Sequence, residues 1–152
     1  MKIDILTLFP EMFPGILSSS MLRIAQEKGL LQVKVIDFRE FSKDKHKKVD
    51  DRPYGGGPGM ILQVEPIYLA LQELLSRGEV KPRLVLTTPQ GKPFNQQKAE
   101  EFSRQAHLVF VCGHYEGYDE RLHQLFDFDE VSVGDYVLTG GELPAMVLID
   151  AV

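Results

Sequence analysis

Short apolar segments of strand length alternate with helical segments along almost the whole chain, and this alternation constrains the fold more than any other feature. The pattern predicts strands over 2–8, 31–38, 83–88, 107–112 and 128–133, helices over 21–28, 65–77, 95–105 and 119–126, and a final apolar run over 143–152. Strands that are separated by helices form a mostly parallel sheet with helices on both faces. The sequence of 152 residues therefore predicts a single α/β domain.

Local signals set several boundaries. Ser20 is a candidate cap for the first helix, and Gly29 follows its predicted end. Pro66 suits the first turn of the 65–77 helix, and Gly78 follows it. The polar, glycine-rich segment 42–60 is predicted to be a long loop, and loops of that length are usually functional or mobile.

Three glycine-containing loops, 87–91, 112–118 and 134–141, each follow a predicted strand. Ligands of parallel α/β sheets bind outside the carboxyl ends of the strands, so we expect the loops to form one composite pocket. Tyr115, Tyr118 and Tyr136 lie beside glycines in these loops, with Glu116, Asp119 and Asp135 among them. Aromatic and acidic residues in this arrangement favour stacking and hydrogen bonding to a nucleobase over core packing.

Several familiar sites are disfavoured. The sequence has neither a phosphate-binding loop of the G-x-x-x-x-G-K-[ST] type nor a G-x-G-x-x-G after its first strand, and Gly55–Gly59 resembles a hinge or lid more than a phosphate cradle. Cys112 and His114 form a single Cys-x-His pair, which predicts no metal site. Cys112 ends a buried strand and is interpreted as a core residue, although nucleophilic catalysis stays open. His107 and His123 are interpreted as structural or surface residues.

Composition limits the setting. Hydrophobic residues make up 43% and charged residues 26% of the chain, which is ordinary for a globular protein. No apolar run reaches the ~20 residues of a membrane span, so no membrane partner is expected. A single cysteine and the lack of a signal peptide favour the cytoplasm. The net charge of −5 opposes nonspecific nucleic-acid binding, yet the basic segment 43–52 could position one structured RNA or be a solvated loop.

Five segments together resemble one family: KIDILTLFPEMF at the N-terminus, DDRPYGGGPGM (50–60), LTTPQGKPFNQ (86–96), VCGHYEGYDERL (111–122) and VGDYVLTGGELPAM (133–146). In this order and spacing they are similar to the bacterial tRNA (guanine-N1)-methyltransferases of the SPOUT class. The resemblance implies an S-adenosylmethionine-binding SPOUT domain over 1–152 with a C-terminal deep trefoil knot. Topology rules alone would reject such a knot.

The resemblance also implies site residues. The implied S-adenosylmethionine-binding residues are Leu86, Thr87, Thr88, Pro89, Gly113, Tyr115, Glu116, Val133, Gly134, Asp135, Tyr136, Val137, Leu138, Gly140, Gly141 and Pro144. Glu116 is the candidate for hydrogen bonding to the target guanine, and Asp50 and Arg52 match positions near cofactor and substrate. Asp119 is a weaker candidate.

The implied reaction is methyl transfer to N1 of guanine 37, immediately 3′ of the tRNA anticodon, by a homodimer. The final run PAMVLIDAV shows no helix-stop signal, which predicts a truncated chain. In the family, the catalytic aspartate, a key arginine and the tRNA-binding domain lie beyond the position of Val152. The chain is therefore expected to bind cofactor and dimerise but to be catalytically incomplete.

Three alternatives stay open: another SPOUT-class RNA methyltransferase, a cofactor-binding module without activity, and an α/β domain that binds some other nucleotide.

Overall fold

A five-stranded sheet forms the centre of the protein. The computed structural model describes residues 1–53, 55–77 and 80–152. The sheet consists of β1 (Lys2–Thr7), β2 (Gln32–Asp37), β5 (Arg83–Pro93), β6 (His107–Cys112) and β7 (Phe128–Ser132) in the order β2-β1-β6-β5-β7. All four strand pairings in this sheet are parallel. The carboxyl ends of the strands therefore lie at one edge, as the sequence predicts.

Helices cover both faces of this sheet. They are α1 (Pro14–Leu17), α2 (Ser20–Glu27), α3 (Val64–Arg77), α4 (Gln96–Ser103), α5 (Arg121–Leu125) and α6 (Glu142–Ala151), with short 3₁₀ turns over Pro10–Met12 and Phe38–Phe41. Alternate residues of β6 enter two separate cores: Val109 and Val111 pack with α3 and α5, whereas Leu108 and Phe110 pack with α2, α4 and α6. A strand that is apolar on both sides is typical of a sheet buried on both faces. The predicted α/β class is confirmed.

Three predicted boundaries are wrong. Ser20 is the first residue of α2 and Ser19 occupies the cap position, where its hydroxyl instead donates to the carbonyl of Gly15. The predicted loop 42–60 contains β3 (Asp50–Asp51), which pairs antiparallel with β4 (Ile61–Leu62). The predicted loop after residue 88 is the continuation of β5, whose pairing with β7 shifts register between Thr87 and Lys92. The last two differences, the β3–β4 pairing and the longer β5, arise from hydrogen bonds between strands. The sequence of one strand does not show which other strand it pairs with.

Other local predictions are confirmed. Gly29 follows α2 with a φ of +69°, which suits glycine at a helix end. Pro66 lies in the first turn of α3, whereas Gly78 lies outside the described residues. Within the described part of the chain, no helix is long and apolar enough to cross a membrane.

His107 has a structural role at the amino end of the sheet. Its Nε2 lies 2.7 Å from Oδ2 of Asp4 on β1, and both side chains are buried. Lys2 Nζ contacts the same carboxylate oxygen at 3.0 Å. These three charged or polar side chains lie at the opposite edge of the sheet from the predicted pocket, which supports the structural interpretation of His107.

A network of charged residues joins β5, β7 and α4. Arg83 Nη2 and Lys98 Nζ donate to Oδ1 of Asp129 at 3.0 and 2.8 Å, and Arg83 also pairs with Glu101. Partial burial alone would raise the pKa of Asp129, but the hydrogen bonds from Arg83 and Lys98 outweigh burial and lower it. The carboxylate therefore contributes to folding stability while it is ionised.

Replacing Asp129 with Asn should lower the free energy of unfolding at pH 7 by about 1–2 kcal/mol, somewhat less than the ~1.5–3 kcal/mol of hydrogen bonds to charged groups. Solvent screening reduces the effect because about a quarter of each side chain of the Arg83–Asp129 pair is exposed. A folded-state pKa below the usual ~3.9 means that the contribution is complete above that value and is lost as pH falls through the lower one. Urea denaturation of wild type, Asp129→Asn and the exposed control Asp127→Asn should show a difference for Asp129 that shrinks in acid. A pH-independent difference would contradict this account.

Candidate functional site

A cavity of about 300 Å³ opens at the carboxyl ends of β5, β6 and β7. All three predicted loops contribute to its wall, which confirms that they converge. The lining consists of Leu86, Thr87, Thr88, Pro89, Gln90, Gly113, His114, Tyr115, Glu116, Gly117, Tyr118, Glu120, His123, Glu130, Val131, Ser132, Val133, Tyr136, Val137, Leu138, Thr139, Gly140, Gly141 and Pro144. The volume is at the lower end of the ~300–1,000 Å³ typical of small-molecule sites.

Close backbone contacts hold the loops together. The amide of Gly141 donates to the carbonyl of Gly113 at 2.7 Å, and Gly140 forms an antiparallel bridge with His114. The hydroxyl of Thr87 lies 3.3 Å from the carbonyl oxygens of both Val111 and Gly141. A Cβ atom at Gly141 would lie 2.6 Å from the amide nitrogen of Gly113 and would overlap the Thr87 hydroxyl. Only glycine at position 141 permits this approach of three chain segments.

Tyr118 and Cys112 are neutral groups beneath this contact. The Tyr118 hydroxyl donates to the carbonyl of Val111 at 3.0 Å, and burial raises its pKa well above the usual range. Burial, with a smaller contribution from Glu142, likewise raises the pKa of the Cys112 thiol. The thiol belongs to a hydrophobic core, which confirms the core interpretation and disfavours a thiolate nucleophile. Among the described residues, no group of three or more His, Cys, Asp or Glu is placed to hold a metal ion.

His114 lines the cavity and has one unsatisfied polar atom. Its ring lies between Phe9 and Tyr115, with centroid distances of 4.8 and 4.9 Å. The Nδ1 atom is buried and has no hydrogen-bond partner within the described chain. The next residue, Tyr115, has a φ of +58°, which is uncommon for a non-glycine residue and is frequent at functional sites. A ligand that hydrogen-bonds Nδ1 would remove the desolvation penalty of that atom.

The charged residues among those lining the cavity are acidic. Glu116, Glu120 and Glu130 contribute carboxylates, and neither lysine nor arginine is among the lining residues. His123 on α5 lies 3.4 Å from Glu130 on β7 through its Nδ1 atom. Such a wall favours a ligand with net positive charge and disfavours a polyanion such as a nucleoside triphosphate.

The structure separates the predicted site residues into groups. Fourteen of the sixteen expected to bind cofactor line the cavity, whereas Gly134 and Asp135 do not. The ring of Tyr136 folds over Gly134, where a Cβ atom would lie 2.8 Å from the ring Cζ. This packing explains the need for glycine at 134 without giving it a place in the wall. Asp119 lies on the far side of the 113–121 loop, where Arg121 donates to its carboxylate at 2.6 Å.

Asp50 and Arg52 do not line the cavity, but their hairpin is joined to its rim. The amide of Glu116 donates to the carbonyl of Met60 at 3.0 Å, and the amide of Leu62 donates to the carbonyl of Gly117 at 2.9 Å. A Cβ atom at Gly59 would lie 2.7 Å from Oε1 of Glu116. The carboxylate of Glu116 therefore rests against the glycine segment that follows Arg52.

Sequence reasoning missed part of the wall. Glu120, His123 and Glu130 lie at the ends or within regular elements, and no motif singles them out. Their common position depends on the packing of α5 against β7, where His123 contacts the ring of Phe128. Helical spacing shows which face of α5 is buried but does not identify the strand that it covers.

The substitution Gly141→Ala tests the close contact. The φ of Gly141 is −83°, which any residue can adopt, so the change isolates the steric effect. We expect a loss of about 1–3 kcal/mol in the free energy of unfolding, the usual cost of overpacking, together with loss of ligand binding in the cavity. The control is Gly15→Ala, because a Cβ atom there meets no atom within 4 Å. Thermal denaturation that shows equal stability for both variants would contradict this interpretation.

The comparisons with known proteins agree along the whole chain. The profile of the family described as tRNA (Guanine-1)-methyltransferase TrmD matches residues 1–152. The tRNA (guanine-N(1)-)-methyltransferase of Bacillus subtilis (strain 168) is 56% identical over 152 residues, which are 100% of this chain and 63% of that protein. The corresponding protein of Halalkalibacterium halodurans is 57% identical, and the match covers 100% of this chain and 62% of that protein.

A solved structure is similar as well. The crystal structure of tRNA (m1G37) methyltransferase from Aquifex aeolicus superposes with a TM-score of 0.90 at 39% identity, covering 99% of this chain and 67% of that chain. The chain thus spans less than two thirds of the length of the curated relatives. Since the family profile covers every residue and the fold agrees, the chain belongs to the tRNA (guanine-1)-methyltransferase TrmD family.

Proposed function

We propose that the cavity binds S-adenosylmethionine and that the protein takes part in methyl transfer to N1 of guanine 37 in tRNA. The observation that carries this proposal is the combination of acidic and aromatic residues in one glycine-rich wall. S-adenosylmethionine has net positive charge, an adenine ring and ribose hydroxyls. The carboxylates suit the charge, and the tyrosines and backbone amides suit the nucleoside.

The residues present fit this cofactor. Tyr136, Leu138 and Pro144 provide an apolar wall suited to an adenine ring, and Gly113 and Gly140 leave room for close approach of the backbone. The buried Nδ1 of His114 is a polar atom that a nucleoside could satisfy. The cofactor supplies a methyl group that its sulfonium makes electrophilic.

The chain's own residues would bind and orient the guanine. N1 of neutral guanine carries a proton, so a base must remove it before or during methyl transfer. Glu116 is the candidate for a hydrogen bond to the base edge, because its carboxylate lies at the cavity wall beside Gly59. Asp50 and Arg52, in the adjoining hairpin, would lie near the cofactor and the guanine. A flipped guanine needs such contacts to be held in place.

Methyl transfer is proposed to need groups beyond these. The family resemblance assigns the general base and a key arginine to positions that follow residue 152, in a linker and a tRNA-binding domain. The curated relatives are longer than this chain, which covers 63% of the Bacillus subtilis protein. Residues 1–152 would then act as the cofactor-binding SPOUT domain. We propose the cytoplasm as the site of the reaction, because the proposed substrate is a tRNA.

The proposed deep trefoil knot involves the segment that closes the cavity. Residues 134–141 would pass through a loop of the chain before α6 begins. The hydrogen bond from Gly141 to Gly113 and the contact of Gly141 with Thr87 support this proposal, because they seat the segment among the ends of β5 and β6.

The first test compares three ligands on the 152-residue protein. S-adenosylmethionine and S-adenosylhomocysteine should raise the melting temperature, since a ligand at one hundred times its Kd stabilises by about 2.7 kcal/mol. ATP should have little effect, because its phosphates meet three carboxylates. In a tRNA methylation assay, the same protein should show little or no turnover.

Each outcome separates one of the alternatives. A thermal shift with ATP alone would contradict the cofactor assignment and favour a domain that binds another nucleotide. Turnover at a rate near that of full-length relatives would contradict the proposed incompleteness. A modified nucleoside other than N1-methylguanosine in the treated tRNA would identify a different SPOUT-class reaction.

We also propose a homodimer that forms through the surface beside the cavity. Large apolar side chains are exposed there: Tyr136 is 57% exposed, Val137 80%, Leu143 50% and Val147 53%. Leu143 and Val147 are four residues apart on α6 and therefore share one face. Adjacent exposed apolar groups of this kind mark interaction surfaces.

Charges on this face should disrupt the dimer. Leu143→Asp combined with Val147→Asp removes side chains that contribute about 1.5–3 kcal/mol each when buried, and the change occurs in both copies. Sedimentation equilibrium should give a dimer for wild type and a monomer for this variant. The control is Met21→Asp with Leu30→Asp, which alters two exposed apolar residues elsewhere and should leave the dimer intact. A wild-type monomer would contradict the proposal.

A further inference from the structure

A basic loop adjoins the cavity rim, and its lysines have no part in the proposed cofactor site. Residues 43–52 hold five cationic side chains in a protein whose net charge is −5: Lys43, Lys45, Lys47, Lys48 and Arg52. Lys43 pairs with Glu65 at 2.6 Å and Lys47 pairs with Glu40 at 3.1 Å. Lys45 and Lys48 are exposed, and among residues 1–53, 55–77 and 80–152 neither ammonium group forms a salt bridge, although Lys48 is attracted by the nearby carboxylate of Asp44. Their ammonium groups are available to an external anion.

Internal hydrogen bonds give this loop a defined shape. Oδ1 of Asp44 accepts from the amides of His46 at 2.7 Å and Lys48 at 3.4 Å, and these bonds, the one from His46 most, lower the pKa of Asp44. The hydroxyl of Ser42 donates to the carbonyl of Lys48 at 2.5 Å. The next side chain, Val49, is buried in the core. The two lysines are therefore displayed by an anchored loop.

Backbone hydrogen bonds connect the loop to the cavity. The amide of Gln63 donates to the carbonyl of Val49 at 2.8 Å, and Asp50 on β3 pairs with Leu62 on β4. Leu62 in turn forms a parallel bridge with Tyr118, which lines the cavity. An anion held by the loop is thereby positioned relative to the cavity by a continuous chain of pairings.

The loop and the cavity have opposite charges and would therefore bind different parts of an RNA. The three carboxylates of the cavity repel phosphate groups, so an RNA that presents one base there must be held by cations elsewhere. Lysine contacts to phosphate supply affinity and register without reading sequence. We propose that Lys45 and Lys48 bind the tRNA phosphate backbone while the target guanine enters the cavity. This proposal rests on the function proposed above.

The test measures binding of an unmodified tRNA transcript with guanine 3′ of the anticodon by fluorescence anisotropy across a series of salt concentrations. Lys45→Ala with Lys48→Ala is compared with Lys28→Ala with Lys34→Ala. The control pair removes two exposed lysines that also lack an ion-pair partner within the described chain, and Lys34 lies on β2, the edge strand farthest from β7. Both variants carry the same change in net charge.

The loop variant should lose affinity by tenfold or more at low salt. The slope of log K against log salt should become shallower by about 1.4–1.8, which corresponds to two phosphate contacts. The control should stay within twofold of wild type. Both variants should keep the full thermal shift with S-adenosylmethionine, which shows that the fold and the cofactor site are intact.

The remaining outcomes separate this proposal from the proposed function. Equal losses in the two variants, or an unchanged salt slope, would overturn the lysine contacts while cofactor binding stands. Failure of wild type to bind the tRNA at low salt, with a normal thermal shift by the cofactor, would also overturn the lysine contacts. Loss of binding to phosphatidylserine vesicles, with tRNA binding unchanged, would assign the loop to a membrane surface instead. Absence of any cofactor shift would overturn the proposed function itself.

Discussion

The contact of Gly141 with Gly113 and Thr87 is the interaction on which the site depends. It joins the ends of β5 and β6 to the segment that follows β7, at a distance that a single Cβ atom would prevent. Three loops far apart in sequence thereby form one wall. The same contact begins α6, whose buried residues Ala145, Leu148 and Ile149 complete one of the two cores. The close contact of the Gly141 backbone with Gly113 and Thr87 therefore both closes the cavity and positions α6 in the core.

Charge is distributed so that the two sides of the site have different roles. The cavity wall has carboxylates from Glu116, Glu120 and Glu130, whereas the nearby loop exposes the ammonium groups of Lys45 and Lys48. A cationic small molecule and a polyanionic macromolecule would be attracted to different surfaces of the same domain. The short β3–β4 hairpin fixes the relation between these surfaces, because its pairing continues into the cavity loop at Tyr118.

The exposed apolar face of α6 is a candidate surface for contact with a second copy of the chain. Leu143 and Val147 are solvent-exposed on α6, and Tyr136 and Val137, which line the cavity, are exposed as well. A second copy on this surface would cover apolar area and add to the outer wall of the cavity. Family membership is established over all 152 residues, and the proposed catalytic assembly extends beyond what one copy of these residues contains.

The sequence alone determined the α/β class, the five strands of the main sheet and the convergence of the three glycine loops. These follow from local periodicity and from the rule that parallel strands end at one edge. Tertiary structure decided the extension of β5 through residues 89–93, the pairing of β3 with β4 and the entry of Glu120, His123 and Glu130 into the wall. It also left Gly134 and Asp135 outside the lining. The physical reason is that a segment's own residues set its periodicity and exposure, whereas its partner depends on contacts between residues distant in the chain.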